Sequence, residues 1–251
     1  MGALHPGGLL GPKRRRSVFT RSADIYDAVY SFKDYTAEAE RVHELVEART
    51  PGASTLLDVA CGTGKHLERL ARWYEVQGLD LNDDFVAIAR GRLGGRAHIH
   101  LADMTSFDLG RAFDAVTCLF SSIGYVLTEE RLDAALAAMA RHLKPGGSLI
   151  LEPWITPENW VVGRPHLLTV DEPELKIART TVAGREGDLS ILEFDYLVAT
   201  PEGTRHFTER HEAALFTDEQ YRRAFERAGL SVDFDGEGLT GRGLYLGRLP
   251  H

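Results

Sequence analysis

One segment constrains the fold of this chain more than any other: Asp58-Val-Ala-Cys-Gly-Thr-Gly64. It closes a short apolar run from Thr55 to Ala60 and is followed by the helically spaced Leu67 and Leu70. Strand, glycine turn and helix open a βαβ crossover. The glycines let backbone approach a ligand where a side chain would collide. The alternation then repeats. Glu75 to Leu81 reads as a strand ending at Asp80, Phe85 to Leu93 as a helix, and Ala97 to Leu101 as a strand ending near Asp103. Phe113 to Phe120 is a fourth strand. Leu132 to Leu143 is an Ala-rich helix stopped by Pro145-Gly146-Gly147, and Ser148 to Glu152 is a fifth strand. Upstream, Ala39, Val42, Leu45 and Val46 set a helix over 37–48, broken at Pro51-Gly52. The pattern predicts an α/β fold, a Rossmann-like doubly wound sheet with right-handed crossovers.

After Trp154 the periodicity changes. Leu167–Val170, Lys176–Val182, Ile191–Ala199 and Thr204–Leu215 are β-rich and separated by turn signals, with no helical period between them. Hairpin spacing of this kind predicts an antiparallel β insertion over 154–215. Thr217 then opens a helix through Ala228, and Ser231–Phe234 and Gly243–Leu249 read as closing strands. The main sheet therefore draws on 22–153 and 216–251. Residues 1–21, rich in Gly, Pro and Arg without periodicity, are expected to be disordered.

The net charge is −8, although Lys13, Arg14, Arg15 and Arg16 crowd into the first residues. An acidic body excludes general nucleic-acid binding, which needs phosphate-neutralising surface. No apolar run approaches the ~20 residues of a membrane span. Cys61 and Cys118 both sit in apolar runs, so buried reduced thiols and a cytoplasmic location are expected. No His or Cys set has metal-ligand spacing, so no metal is expected.

Two nucleotide classes compete for the glycine loop. A dinucleotide fingerprint wants a small residue where Leu67 stands. A P-loop is excluded because no Gly-Lys-Ser/Thr follows, despite Lys65. S-adenosylmethionine (SAM) has no phosphate. It needs an acidic turn for its ammonium, an acid for its ribose and a slot for its adenine. Asp58 lies just before the turn of Gly62 and Gly64 and can orient it. Asp80 can accept both ribose hydroxyls. Asp103 can take the exocyclic amine of adenine while Met104 covers the ring.

Asp58–Gly64, Phe120-Ser-Ser-Ile-Gly124, Glu152-Pro-Trp154, Pro157-Glu-Asn159 and Gly241-Arg-Gly-Leu244 together resemble the motifs of SAM-dependent sugar N,N-dimethyltransferases. These act on nucleotide-linked amino-deoxysugars of the desosamine and mycaminose type in antibiotic pathways. The similarity spans about Ile25 to Leu246. It implies the class I SAM-methyltransferase fold, with Tyr26 and Tyr35 over the methionine end of SAM and Ala60, Asp80, Asp103 and Met104 around the nucleoside. Trp154, Arg179 and Arg242 would contact a dTDP-sugar, with Ser122 beside them. Tyr125 would stand near the amine as the catalytic candidate, orienting it or relaying its proton. Ile155 departs from the family, which carries a second tryptophan there, and the segment before Lys33 is shorter than usual. Both departures touch the acceptor side and leave open whether the amine is on C3 or C4.

The residue types suit that chemistry. Arginine's planar fork grips a diphosphate with directed bonds, and Trp154 or Phe19 could wall a thymine. Arg179 also reads as the polar face of a strand that alternates with Ile177. Arg242 lies between glycines that free the backbone but pack nothing. His66, His98, His100 and His142 read as structural or exposed. Three rival readings remain: an N-methyltransferase of a small amine or amino acid, an NAD-dependent oxidoreductase, and a non-catalytic SAM-binding regulator. The exposed β insertion could pair two copies across a two-fold axis.

Overall fold

The computed structural model describes residues 19–251, so the disorder expected before Phe19 and the basic run at 13–16 lie outside the described residues. A short α1 (Tyr26–Val29) leads into α2 (Tyr35–Arg49), capped by the Asp34 side chain, which accepts from the Thr36 and Ala37 amides. The crossover series is β1 (Thr55–Val59), α3 (Lys65–Leu70), β2 (Glu75–Asp80), α4 (Asp83–Leu93), β3 (His98–Leu101), β4 (Phe113–Cys118), α5 (Glu129–Arg141) and β5 (Leu143–Leu151). The insertion holds β6 (Pro165–Glu172), β7 (Leu175–Glu186), β8 (Leu189–Thr200) and β9 (Gly203–Ala214). Helix α6 (Asp218–Arg227), β10 (Ser231–Asp235) and β11 (Leu244–Arg248) close the chain.

Seven strands form the main sheet in the order β10-β11-β5-β4-β1-β2-β3. The β3-to-β5 part is parallel, and β11 runs antiparallel between β5 and β10. The apolar faces of α2, α3 and α4 cover one side of the sheet, and those of α5 and α6 cover the other. Burial on both faces explains why β1 is buried at every position. Reversal of strand order between β1 and β4 opens a crevice at the carboxyl ends of these strands, the usual ligand position in such sheets.

Several boundaries move. The Pro145-Gly146-Gly147 segment does not separate helix from strand, because β5 starts before it and bulges: Phe113 pairs Leu143, but Ala115 pairs Ser148. The Gly146 amide bonds the Leu249 carbonyl and the Leu249 amide bonds the Gly147 carbonyl, so the C-terminal chain pairs with the bulged segment. The second sheet, in order β6-β7-β8-β9, begins at Pro165, and residues 154–164 hold neither strand nor helix. Its inner face buries Val170, Ile177, Phe194, Tyr196, Val198 and Phe207 against Ile25 and Val29. Arg179 shares that inner face because it lies two residues from Ile177, so it is not on an opposite polar face. Phe19 and Arg21, in the stretch expected to be disordered, make ordered contacts. The Arg21 amide donates to Glu209 (2.6 Å), and the Phe19 ring packs on Tyr26 (5.1 Å). Both cysteines are buried and free. Among the described residues no helix is long and apolar enough to cross a membrane.

Candidate functional site

The glycine turn lies at the mouth of the crevice. Gly64, at φ 79°, caps α3 in the left-handed region, and a Cβ there would lie 3.1 Å from that of Ala89. Leu67 occupies the position where a dinucleotide fold wants a small residue. The close helix-to-strand approach is made on the strand side instead, because a Cβ at Gly78 would sit 2.5 Å from Leu67 Cδ1. Beyond the turn lies a cleft of about 1020 Å³, lined by Tyr26, Tyr35, Asp58, Ala60, Gly62, Asp80, Asp103 and Met104 among others.

The three acids differ in their surroundings. Asp58 is 2% exposed and accepts a hydrogen bond from Thr117 (2.7 Å). Burial pushes its carboxyl up to about 6, with Asp80 adding and His66 and Thr117 opposing. A buried carboxylate without a strong cationic partner suits a ligand ammonium. Asp80 is fixed by the Gly62 amide (2.9 Å) at one oxygen and the Asn82 amide (2.8 Å) at the other. Burial raises this carboxyl, against the pull of those amides. Each oxygen keeps a lone pair for a diol. Asp103 accepts from the Thr105 amide (2.9 Å) and hydroxyl (2.8 Å) and pairs with Arg131 (3.1 Å). Burial would raise it, but those partners outweigh burial and hold it below the usual range. Tyr35 sits edge-on to His66, and His66 is bonded to Glu38 (2.7 Å), which also takes Lys33 (2.6 Å). His66 therefore lines the cleft as part of a buried network.

A second cleft, about 1710 Å³, runs from the first toward the inner face of the insertion. Phe19, Tyr26, Phe120, Ser122 and Tyr125 line both, so they form the throat where the clefts meet. Trp154, Trp160, Arg179 and Arg242 line the second cleft. Arg242 lies 5.3 Å from the Trp154 ring centre and donates to Ser121 Oγ (3.0 Å). The Trp154 indole N–H donates to Ser190 Oγ (2.8 Å), so this side chain is a fixed wall rather than free core filling. Arg179 sits over Phe194 (4.5 Å) and donates to the Tyr30 hydroxyl (3.1 Å). Gly243 does pack: at φ 80° its backbone lies so near Phe234 that a Cβ would fall 2.2 Å from the ring, whereas Gly241 faces open space.

The sequence-predicted residues thus line the two clefts, except Gly64, which caps α3. Phe19 stands in the throat, its ring against Tyr26, Phe85, Tyr125 and His211, and it shares the second cleft with Trp154. Sequence reasoning missed Arg131, Trp160, His211 and Glu152. Fully buried Glu152 accepts the Phe120 amide (2.7 Å) and the Thr240 hydroxyl (2.7 Å), tying the throat to the Arg242 loop. Its place in Glu-Pro-Trp was legible, but the partners are 32 and 88 residues away. Left-handed backbone at Phe19, Ala60, Phe120 and Ser121 gathers at the same clefts, strain held by such contacts.

The profile of a family described as "Methyltransferase domain" matches residues 56–147. The dTDP-3-amino-3,6-dideoxy-alpha-D-glucopyranose N,N-dimethyltransferase of Streptomyces fradiae is 45% identical over 97% of this chain and 96% of its own. The dTDP-4-amino-2,3,4,6-tetradeoxy-D-glucose N,N-dimethyltransferase of Saccharopolyspora spinosa is 42% identical over 90% and 91%. Among solved structures, SAM-bound CalS10, an amino pentose methyltransferase of Micromonospora echinaspora involved in calicheamicin biosynthesis, is similar at a TM-score of 0.83. It is 38% identical, with 97% of this chain and 99% of that one covered.

Proposed function

Since the chain belongs to the SAM-dependent N,N-dimethyltransferases of dTDP-linked amino-deoxysugars, we propose that its two clefts divide the reaction between donor and acceptor. SAM is the methyl donor and supplies an electrophilic methyl group on a sulfonium. Asp58 neutralises the donor's ammonium, Asp80 accepts the ribose hydroxyls, and Asp103 with Met104 holds the adenine. Tyr26 and Tyr35 cover the methionine end. The cleft fits this group because it offers a buried carboxylate for a cation and an amide-fixed carboxylate for a diol, with no phosphate cradle.

In the second cleft Arg242 and Arg179 bind the diphosphate, and Trp154 with Trp160 walls the thymine. The single observation that carries the reading is the shared throat, which lets an amine in one cleft reach a methyl group in the other. The amine attacks in its neutral form, and alignment supplies most of the acceleration, on the order of 7–11 kcal/mol. The outer face of the insertion exposes Leu167, Val182 and Leu197, and we assign it to pairing of two copies, to be read by sedimentation.

The test is mass spectrometry of products from dTDP-3-amino and dTDP-4-amino-deoxysugars. Two methyl groups on the sugar nitrogen are expected. Arg242→Ala should raise KM for the dTDP-sugar at least tenfold while S-adenosylhomocysteine binding stays within twofold. Turnover of a small amine that ignores Arg242→Ala would replace the sugar reading.

A further inference from the structure

Tyr125 Oη lies 2.9 Å from His211 Nδ1. The other nitrogen, Nε2, is buried without a hydrogen-bond partner among the described residues and faces Glu209 Oε2 at 3.7 Å. Glu209 is itself fixed: the Ser22 hydroxyl donates to Oε2 (2.6 Å) and the Arg21 amide to Oε1 (2.6 Å). His211 is 3% exposed, and the Phe19 ring (4.5 Å) and Phe194 ring (5.1 Å) pack against it. Glu209 and His211 are two apart on β9, so both point inward from the insertion toward the throat. A phenol, an imidazole and an anchored carboxylate therefore stand in series, beginning at the junction of the two clefts.

We propose that His211, backed by Glu209, is the proton acceptor for the sugar nitrogen, reached through Tyr125. This rests on the sugar N-methyltransferase reading. In the first transfer the amine lone pair forms the new N–C bond while the methyl group's bond to sulfur breaks, that electron pair staying on sulfur. The nitrogen is left as a methylammonium and cannot attack again until it loses a proton. That proton passes to Tyr125 Oη as the Tyr125 proton passes to His211 Nδ1. The phenol ends as it began, and the positive charge rests on the imidazole beside Glu209. His211 returns the proton to solvent when the throat opens to product exchange. Because dimethylation needs this proton removed between the two transfers, the relay serves the second methylation above all.

Two features support a relay over a resident phenolate. Burial pushes the Tyr125 phenol far up, so it stays protonated. Burial also works to raise Glu209, but His211, Ser22 and the Arg21 amide outweigh it and keep the carboxylate ionised. Among the described residues, the other titratable or charged groups facing Tyr125 and His211 are Tyr26 and Tyr30 from the N-terminal segment, Arg179 from β7 and Tyr196 from β8.

His211→Asn separates the relay from a positioning role. The asparagine oxygen can take the place of Nδ1 as acceptor of the Tyr125 hydroxyl, but it cannot hold a proton. The variant should bind S-adenosylhomocysteine and the dTDP-amino sugar within twofold of wild type, yet lose kcat on the order of 100-fold. Monomethyl product should accumulate, and kcat should still be rising at the pH where the wild-type profile has levelled. Tyr125→Phe, which keeps the ring, should behave alike and decides the matter if His211→Asn does not fold. Wild-type kcat, product ratio and pH profile in a folded variant would overturn the relay. A wild-type protein that binds S-adenosylhomocysteine but methylates no amino sugar would sink the sugar reading and the relay together.

Discussion

At the scale of single residues, the buried acids make the most exacting claims. Asp58 titrates near 6 because burial disfavours its charge. In the unfolded chain it would ionise near the ordinary ~3.9. The folded protein therefore favours the neutral acid, and stability is lost as pH rises from about 4 through about 6, by roughly 2–3 kcal/mol. A bound ammonium reverses that preference. Affinity for S-adenosylhomocysteine should accordingly fall as pH drops below about 6, with proton release on binding in calorimetry across buffers of different ionisation enthalpy. Asp58→Asn should bind the ligand worse yet melt higher, and a variant that loses both would contradict this assignment. Glu152 accepts from two neutral donors, and Glu152→Leu removes both acceptors, leaving the Phe120 amide and the Thr240 hydroxyl without this partner. A loss of about 1–3 kcal/mol in denaturant melts is expected, with a raised KM for the nucleotide-sugar.

At the scale of elements, the turn between β10 and β11 shows how local backbone serves the site. Gly241 and Gly243 flank Arg242 with nearly equal φ but unequal surroundings. Gly241→Ala should cost about 1–2 kcal/mol of left-handed strain and little else. Gly243→Ala adds a clash with Phe234, so it should cost more and weaken nucleotide-sugar binding, leaving S-adenosylhomocysteine binding intact. Equal melting shifts for the two would refute the packing argument. The strands and helices were legible because both faces of the parallel sheet are covered, which imprints continuous apolar runs on β1, β4 and β5. The bulge in β5 was not legible, since Pro145-Gly146-Gly147 reads as a stop unless the C-terminal chain is known to pair with it. The lengths of β6 and β7 were also understated, because their ends are largely polar and exposed.

Across the whole molecule, the main sheet carries the cleft proposed for the donor, and the second sheet closes over the cleft proposed for the acceptor. The residues proposed for the donor could be read from sequence because strand ends fall at fixed places after each apolar run. Acceptor residues were legible mainly through motif resemblance. Tyr125 and His211 are 86 residues apart, and only the packing of β9 on the throat joins them. Arg131 escaped notice for the same reason, its partner Asp103 lying across a strand and a turn. Donor and acceptor can meet only at the throat of Phe19, Tyr26, Phe120, Ser122 and Tyr125, which the two clefts share. A crystal structure with S-adenosylhomocysteine and a dTDP-amino sugar bound together tests it most directly. The ribose hydroxyls are expected on Asp80, the diphosphate at Arg242, and the sugar nitrogen beside Tyr125 facing the sulfur. A dTDP-sugar seated away from Arg242 and Trp154, with its nitrogen out of line with the sulfur, would contradict it.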